Sequence, residues 1–293
     1  MEQVVYFYMR RAMQELAAAD GNELLWMSSD NLESKERFNV RSLLASGIDV
    51  LVFQPVDERI AGPSVEEVVA RGIPVVALDR LPDDAPVAVY VTADSRRVGN
   101  LQAEILAKKL GGTGRIVILG GDESSQVAQE ITAGNLEVLR RHPHLQVVLQ
   151  RFHFRWSRTL AQFTVEEALE TAGPIDGILA NNSSEAMGAV DVLRRYGLSG
   201  KIPVVGADAD LDACLAVLDG EMLADVDKRP FDLGAAAYRA AVRLVRGEGL
   251  DAGASITNGR YRVPVIYTSV ELVTRENLVP VMSYRWSALA LAE

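Results

Sequence analysis

Between Ile202 and Pro230 the chain reads IPVVGADADLDACLAVLDGEMLADVDKRP, and this stretch decides the fold. A β-branched run, Ile202 to Val205, breaks at Gly206, and Asp208 and Asp210 then stand ahead of an amphipathic segment: a strand, a turn and a helix. Leu211, Cys214, Leu215 and Leu218 recur at the i, i+3, i+4, i+7 spacing of one helix face, which predicts that this face is buried. Gly220 is the expected C-terminal stop. A second strand, Met222 to Val226, runs into Asp227-Lys228-Arg229-Pro230. Open parallel sheets gather ligand groups just past the carboxyl ends of their strands, which selects Asp208 and Lys228. Asp210 stands where an N-cap carboxylate accepts backbone N–H bonds; Asp208 comes too early for that role.

Working outward, strands and helices alternate from Glu23 onward, the pattern of an α/β architecture with parallel sheets. Glu23 to Ser28, Asp49 to Gln54, Pro74 to Leu78 and Ala88 to Val91 read as strands. Helices are expected at Ser34 to Ser46, at Ser64 to Arg71 and from Ser95 to about Leu110. The glycine-rich LGGTG at Leu110 to Gly114 reads as a crossing into a second series. There the strands Arg115 to Leu119, Leu145 to Phe152 and Ile175 to Ala180 alternate with helices at Ser125 to Arg141, Ser157 to Thr171 and Ser183 to Tyr196. Phe231 to Gly247 is an amphipathic helix, and Tyr261 to Thr268 a final strand. Two Rossmann-like lobes follow, residues 1–111 with 229–263 and residues 112–228 with 264–293, crossed near Gly112, Lys228 and Pro264. Three crossings confine relative motion to a bending hinge.

Composition narrows the function. With 293 residues, 48% of them hydrophobic, the chain can bury two cores. A net charge of −10 argues against a nucleic-acid partner, which requires clustered Lys and Arg. No apolar run reaches the length of a membrane span. The single cysteine, Cys214, rules out an internal disulfide and is expected to be a small buried hydrophobe.

Nucleotide and catalytic motifs are missing. No G-x-G-x-x-G follows a strand, and LGGDESS at Leu119 to Ser125 lacks the lysine and spacing of a phosphate loop. There is no G-x-S-x-G elbow, and His142, His144 and His153 lack a metal-type spacing. His142 and His144 flank a proline in an expected surface turn. No cofactor, metal site or enzymatic activity is implied.

The expected strand ends instead carry planar polar side chains. Asp79-Arg80 closes the strand ending at Leu78, Asn181-Asn182 closes IDGILA, and Asp208 and Lys228 close the last two. Each also has a local role available: an exposed ion pair for Asp79 and Arg80, turn and cap chemistry for the asparagines. Together they suit a neutral polyol, whose adjacent hydroxyls both donate and accept. Trp156, in the run Phe152 to Trp156 after a strand, could stack on the apolar face of a sugar ring. Tyr6 and Phe7 in the first helix are further aromatic candidates, and Trp26 is expected in the core.

GADADLDACLAVLDGEMLADVDKRP resembles the corresponding segment of D-xylose-binding proteins, type I periplasmic sugar-binding components of ABC importers. The resemblance continues in LDRLP at Leu78 to Pro82, in VGNLQA at Val98 to Ala103, and in TNGRYRVPVIYTSVELVTREN at Thr257 to Asn277. It implies that a monosaccharide, D-xylose or a related aldose, is bound without turnover between two closing lobes and delivered to an ABC permease. Asp79, Arg80, Asn182, Asp208 and Lys228 then fall on the family's binding positions, and Trp156 on its tryptophan. Two departures stand out: Ser183 replaces an aspartate, and Thr132 stands where the family carries an arginine. The latter substitution removes up to five donors, which Gln126 or Gln129 could replace. The same fold serves as the effector core of sugar-responsive transcription regulators and as the partner of histidine-kinase membrane sensors, a second reading.

Residues 1–19 are already helical in pattern, with Val4, Val5, Phe7, Tyr8, Ala12 and Leu16 supplying an apolar side. Members of the resembled group begin with a signal and a strand ahead of this helix, so the reading expects a truncated start, with a periplasmic location implied by resemblance alone. A sheet lacking that strand is expected to expose an edge or an apolar groove.

Overall fold

The strands Val75–Leu78, Val89–Ala93, Gly177–Ala180 and Val204–Val205 are buried at every position, as strands are when helices cover both faces of a parallel sheet. The computed structural model describes residues 4–283. In chain order it begins with α1 (Val4–Asp20), α2 (Glu33–Ala45), β1 (Leu51–Phe53), α3 (Gly62–Val69), β2 (Val75–Leu78) and β3 (Val89–Ala93). Next come α4 (Ser95–Lys109), β4 (Thr113–Leu119), α5 (Gln126–Leu139), β5 (His144–Arg151), a 3-10 turn at Phe154–Trp156, α6 (Arg158–Thr171) and β6 (Gly177–Ala180). The series continues with α7 (Ser183–Arg195), β7 (Val204–Val205), α8 (Leu211–Asp219) and β8 (Asp225–Asp227). After these come α9 (Pro230–Val245), β9 (Ala254–Asn258), β10 (Tyr261–Thr268) and β11 (Glu271–Val273), with residues 278–283 helical at the end of the described chain. No helix among the described residues is long and apolar enough to cross a membrane.

Two units result, residues 1–93 with 229–269 and residues 94–228 with 270–293. The boundaries expected near Gly112 and Pro264 therefore fall inside the units. α4 lies with the second because it packs along α5, and β10 stays whole in the first. The contact between α4 and α5 depends on two glycines: a Cβ on Gly99 would lie 1.9 Å from the Ile131 carbonyl oxygen, and one on Gly134 2.2 Å from that of Arg96. Nothing larger fits at either position.

In the first unit the sheet order is β1-β2-β3-β10-β9, parallel except for the β10–β9 pair. Leu51, Phe53, Val75 and Ala77 join Val40, Leu43 and Val65 on one face. Val76, Leu78, Val89 and Val91 meet Met9, Met13, Leu233 and Ala237 on the other. The expected strand at Glu23 to Ser28 is not part of this ladder.

The second unit has a parallel sheet of order β5-β4-β6-β7, and β8 pairs with β11. Backbone bonds from Gly206 to Ala224, Val226 to Gly206 and Asp208 to Val226 bring β8 alongside the chain leaving β7. The expected burial of the α8 leucines is corrected: Leu211, Leu215 and Leu218 are 52%, 45% and 40% exposed, whereas Cys214 is fully buried. The buried side of α8 is Ala213, Cys214, Ala216 and Val217, packed with Ala186, Ala189 and Val190. The side turned to the core carries the smaller residues, and the leucines turn outward.

Candidate functional site

In the second unit the carboxyl ends of β7 and β8 bring Asp208 and Lys228 together. Lys228 Nζ lies 2.8 Å from Asp208 Oδ1, and the side chains are 14% and 24% exposed. The ammonium also stands 6.0 Å from the centre of the Trp156 ring, within reach of its negative face. Asp208 has φ 95° and Ala209 φ 50°. Aspartate tolerates this region better than most residues, and strain of this kind gathers at binding sites.

Asp225, wholly buried beneath this turn, accepts a hydrogen bond from the Ala209 N–H at 2.9 Å and lies 3.1 Å from Ser183 Oγ. Burial raises its carboxyl well above the ordinary aspartate range, with Asp208 and Asp210 adding to the rise. The hydrogen bonding agrees with a neutral acid. Ser183 Oγ has one proton, directed to the Ala207 carbonyl at 2.8 Å, and accepts from the Asp210 N–H at 3.2 Å. The remaining contact closes when Asp225 donates. Ser183 thus holds the turn from below.

The place of Trp156 follows from its neighbours. Arg155 and Trp156 have positive φ, the Arg155 N–H is held by Asp122 Oδ2 at 2.6 Å, and the Trp156 N–H by the His153 carbonyl at 2.9 Å. Gly121, at φ +74°, leaves space for the ring: a Cβ there would lie 2.4 Å from it. Below, Glu185 Oε1 accepts from the Gly121 N–H at 3.1 Å and lies 2.7 Å from His153 Nδ1, while His153 Nε2 meets Thr164 Oγ1 at 2.9 Å. The network assigns the imidazole proton to Nδ1, with Thr164 donating to Nε2. Burial raises the Glu185 carboxyl, an effect that its His153 bond opposes. Sequence reading passed over the His153–Glu185 pair, since 32 positions separate its members and neither belongs to a motif.

Other second-unit candidates are placed differently. Asn182 caps α7, its side chain accepting from the Glu185 N–H at 2.8 Å. Asn181 is buried and its amide nitrogen meets the Gly120 and Ala128 carbonyls and Thr132 Oγ1 at 2.7 to 2.9 Å. Thr132 is buried and directed to Asn181 rather than to the surface. Gln126 is exposed at the first turn of α5, and Gln129 bonds the Glu123 carbonyl at 2.9 Å.

In the first unit Asp79 and Arg80 follow β2, both half-buried. Asp79 has φ 62°, and the Arg80 N–H returns to the Leu78 carbonyl at 2.6 Å, a three-residue turn at the strand end. Asp79 Oδ2 accepts from Gln54 Nε2 at 2.9 Å, and its carbonyl from the Tyr90 hydroxyl at 2.7 Å. Arg80 Nη1 reaches the Val56 carbonyl at 3.2 Å. Different partners fix the two side chains, so they do not act as a mutual ion pair. Tyr6 is half-buried in the apolar layer with Met9, Met13 and Trp26.

The periplasmic binding protein domain matches residues 3–249. The chain belongs to the periplasmic binding protein family. Within it, the chain is 30% identical over 267 residues to the D-xylose-binding periplasmic protein of Haemophilus influenzae, covering 89% of this chain and 80% of that one. It is also 30% identical over 240 residues to the xylitol-binding protein of Mycolicibacterium smegmatis, covering 82% and 68%. An ABC transporter solute binding protein from Bacillus halodurans C-125, crystallised with bound myo-inositol, superposes with a TM-score of 0.82 at 25% identity, covering 96% of this chain and 94% of that one. Periplasmic binding proteins of this type share the parallel α/β organisation described above.

Proposed function

We propose that this periplasmic binding protein captures a monosaccharide or a closely related polyol without transforming it, and passes it to an ABC permease outside the cytoplasm. The observation that carries the reading is the group formed by Asp208, Lys228 and Trp156: a carboxylate and an ammonium 2.8 Å apart beside an aromatic face. Vicinal hydroxyls suit such a pair, one donating to the carboxylate and its neighbour accepting from the ammonium. The ring's C–H face would then lie on the indole. In the first unit, Asp79 and Arg80 are further candidates for hydroxyl recognition, and the Arg80 guanidinium has donors beyond its carbonyl bonds.

D-xylose is the first candidate, supported by the similarity to D-xylose-binding proteins. Relatives named for xylitol and ribose, and one bound to myo-inositol, set the comparison ligands. A thermal-shift series across D-xylose, xylitol, D-ribose, L-arabinose, D-glucose and myo-inositol tests the class. One ligand should raise the midpoint in a concentration-dependent manner; a flat response from folded protein to all of them would remove the sugar assignment.

A further inference from the structure

Beneath the Asp208–Lys228 pair, the backbone of the turn from Ala207 to Asp210 is held at every residue. The Ala207 carbonyl accepts from Ser183 Oγ at 2.8 Å, and the Asp208 N–H donates to the Val226 carbonyl at 2.8 Å. The Ala209 N–H donates to Asp225 Oδ1 at 2.9 Å and the Asp210 N–H to Ser183 Oγ at 3.2 Å. All but one of these bonds end on two wholly buried side chains, Ser183 at the start of α7 and Asp225 at the start of β8. They hold Asp208 and Ala209 at positive φ, 95° and 50°, a conformation that persists only where its surroundings enforce it. Gly206 makes room for the arrangement: a Cβ there would lie 2.6 Å from Asp225 Oδ2.

The bonding closes when Asp225 carries a proton. Ser183 Oγ gives its own proton to Ala207, so its 3.1 Å contact with Asp225 Oδ2 needs a donor on the carboxyl. Were that proton lost, Ser183 would have to turn its hydroxyl from Ala207 to the carboxylate, leaving a buried carbonyl unpaired. The surroundings oppose the loss. Burial, with Asp208 and Asp210 of like sign on the turn, raises the Asp225 carboxyl. Asp227 lies two residues along β8, the α7 carboxyl within range of Asp208 is Glu185, held by His153, and Asp212 of α8 is paired with Arg158. β11 sets Val273 against Asp225, and α4 meets β8 with the apolar Val98. The ammonium of this group, Lys228, is engaged by Asp208.

We propose that Ser183 and Asp225 are positioning residues for sugar recognition, fixing Asp208 in its binding geometry only while Asp225 carries its proton. This assignment rests on the reading that Asp208 contacts the sugar. A sugar seated on Asp208 excludes water, so repulsion between charges on Asp208 and Asp225 grows. The bound chain therefore keeps the proton to higher pH than the free chain. Affinity falls as pH rises through the Asp225 value, by at most about tenfold per pH unit for one proton.

The test is isothermal titration with D-xylose from about pH 5 to about pH 9, in buffers of low and high ionisation enthalpy. Where D-xylose gives no heat, the other ligands of the thermal-shift series follow in turn. The dissociation constant should rise about tenfold or more across the range, and the difference in heat between buffers should report proton uptake on binding. Asp225→Asn cannot ionise, so its affinity should no longer vary over this range and the uptake should vanish. Ser183→Ala removes the bonds to Ala207 and Asp210 and should weaken binding about tenfold or more at the lowest pH. In the free chain the Ala209 and Asp210 amide resonances should move with a common pH midpoint that Asp225→Asn abolishes. A pH profile retained in Asp225→Asn, or amides that do not titrate, would overturn the proposal; a role in stability alone lowers the melting midpoint of the variants and leaves that profile intact. No heat from any ligand with folded protein removes the sugar reading and the proposal with it, whereas heat without a pH profile overturns the proposal alone.

Discussion

Lys228 and Asp208 form an ion pair in a mostly buried setting, so removing either takes a charged partner from the other, at a cost of about 1–3 kcal/mol. Lys228→Met and Asp208→Asn are each expected to weaken sugar binding roughly tenfold to a hundredfold, whereas His142→Ala should leave it unchanged; titration calorimetry on the three variants checks this. Asp225 supplies a pH prediction. Its folded-state carboxyl titrates well above the ordinary value of 3.8, so the folded state holds a proton that the unfolded chain releases at lower pH. The associated stability is complete below 3.8 and is lost as pH rises through the folded value. The slope between the two values is at most about 1.4 kcal/mol per pH unit. Asp225→Asn keeps a donor for Ser183 Oγ and an acceptor for the Ala209 N–H, and should flatten that part of the stability–pH curve. An unchanged slope in the variant would show that Asp225 is already ionised. None of this was legible from Asp225 itself, because burial and the approach of Ser183 from 42 positions away leave no local mark. Asp208 and Lys228 were legible as candidates because each stands just past the end of an expected strand.

Among the elements, α8 shows where periodicity misleads. The i, i+3, i+4, i+7 leucines form an apolar stripe, yet the helix turns its side of smaller residues, Ala213, Cys214, Ala216 and Val217, to the core shared with α7. Leu215→Gln should change stability by no more than about 0.5 kcal/mol, while Ala213→Leu overpacks the contact and should cost about 1–3 kcal/mol; urea denaturation of both variants decides. The loop after β4 offers a second test. Gly121→Ala meets the Trp156 ring at 2.4 Å and an unfavourable φ of +74°, so it should displace the indole, shift its fluorescence and weaken sugar binding. Normal binding with a displaced ring would exclude Trp156 from recognition. The glycine's role was hidden in sequence, where Gly120-Gly121 read only as a weak phosphate motif. Asn182 was correctly found at a strand end, but its side-chain oxygen is committed to the α7 cap, a local role that the residue type allows equally well.

For the whole chain, alternating strands and helices sufficed for the parallel α/β class, but of the expected crossings only the one at Lys228 coincides with the division of the units. The glycines at Leu110 to Gly114 look like a joint, although they only turn the chain from α4 into β4. The true division follows from α4 packing on α5 through Gly99 and Gly134, a pairing that appears only once both helices are in place. The central claim is that this assembly of strand ends recognises one small polyol. Isothermal titration of the folded chain with D-xylose, xylitol, D-ribose and myo-inositol tests it most directly. Saturable one-site binding of one of them at micromolar affinity or tighter, lost in Asp208→Asn, is the predicted result; no heat from any of them, or equal binding by the variant, would contradict the account.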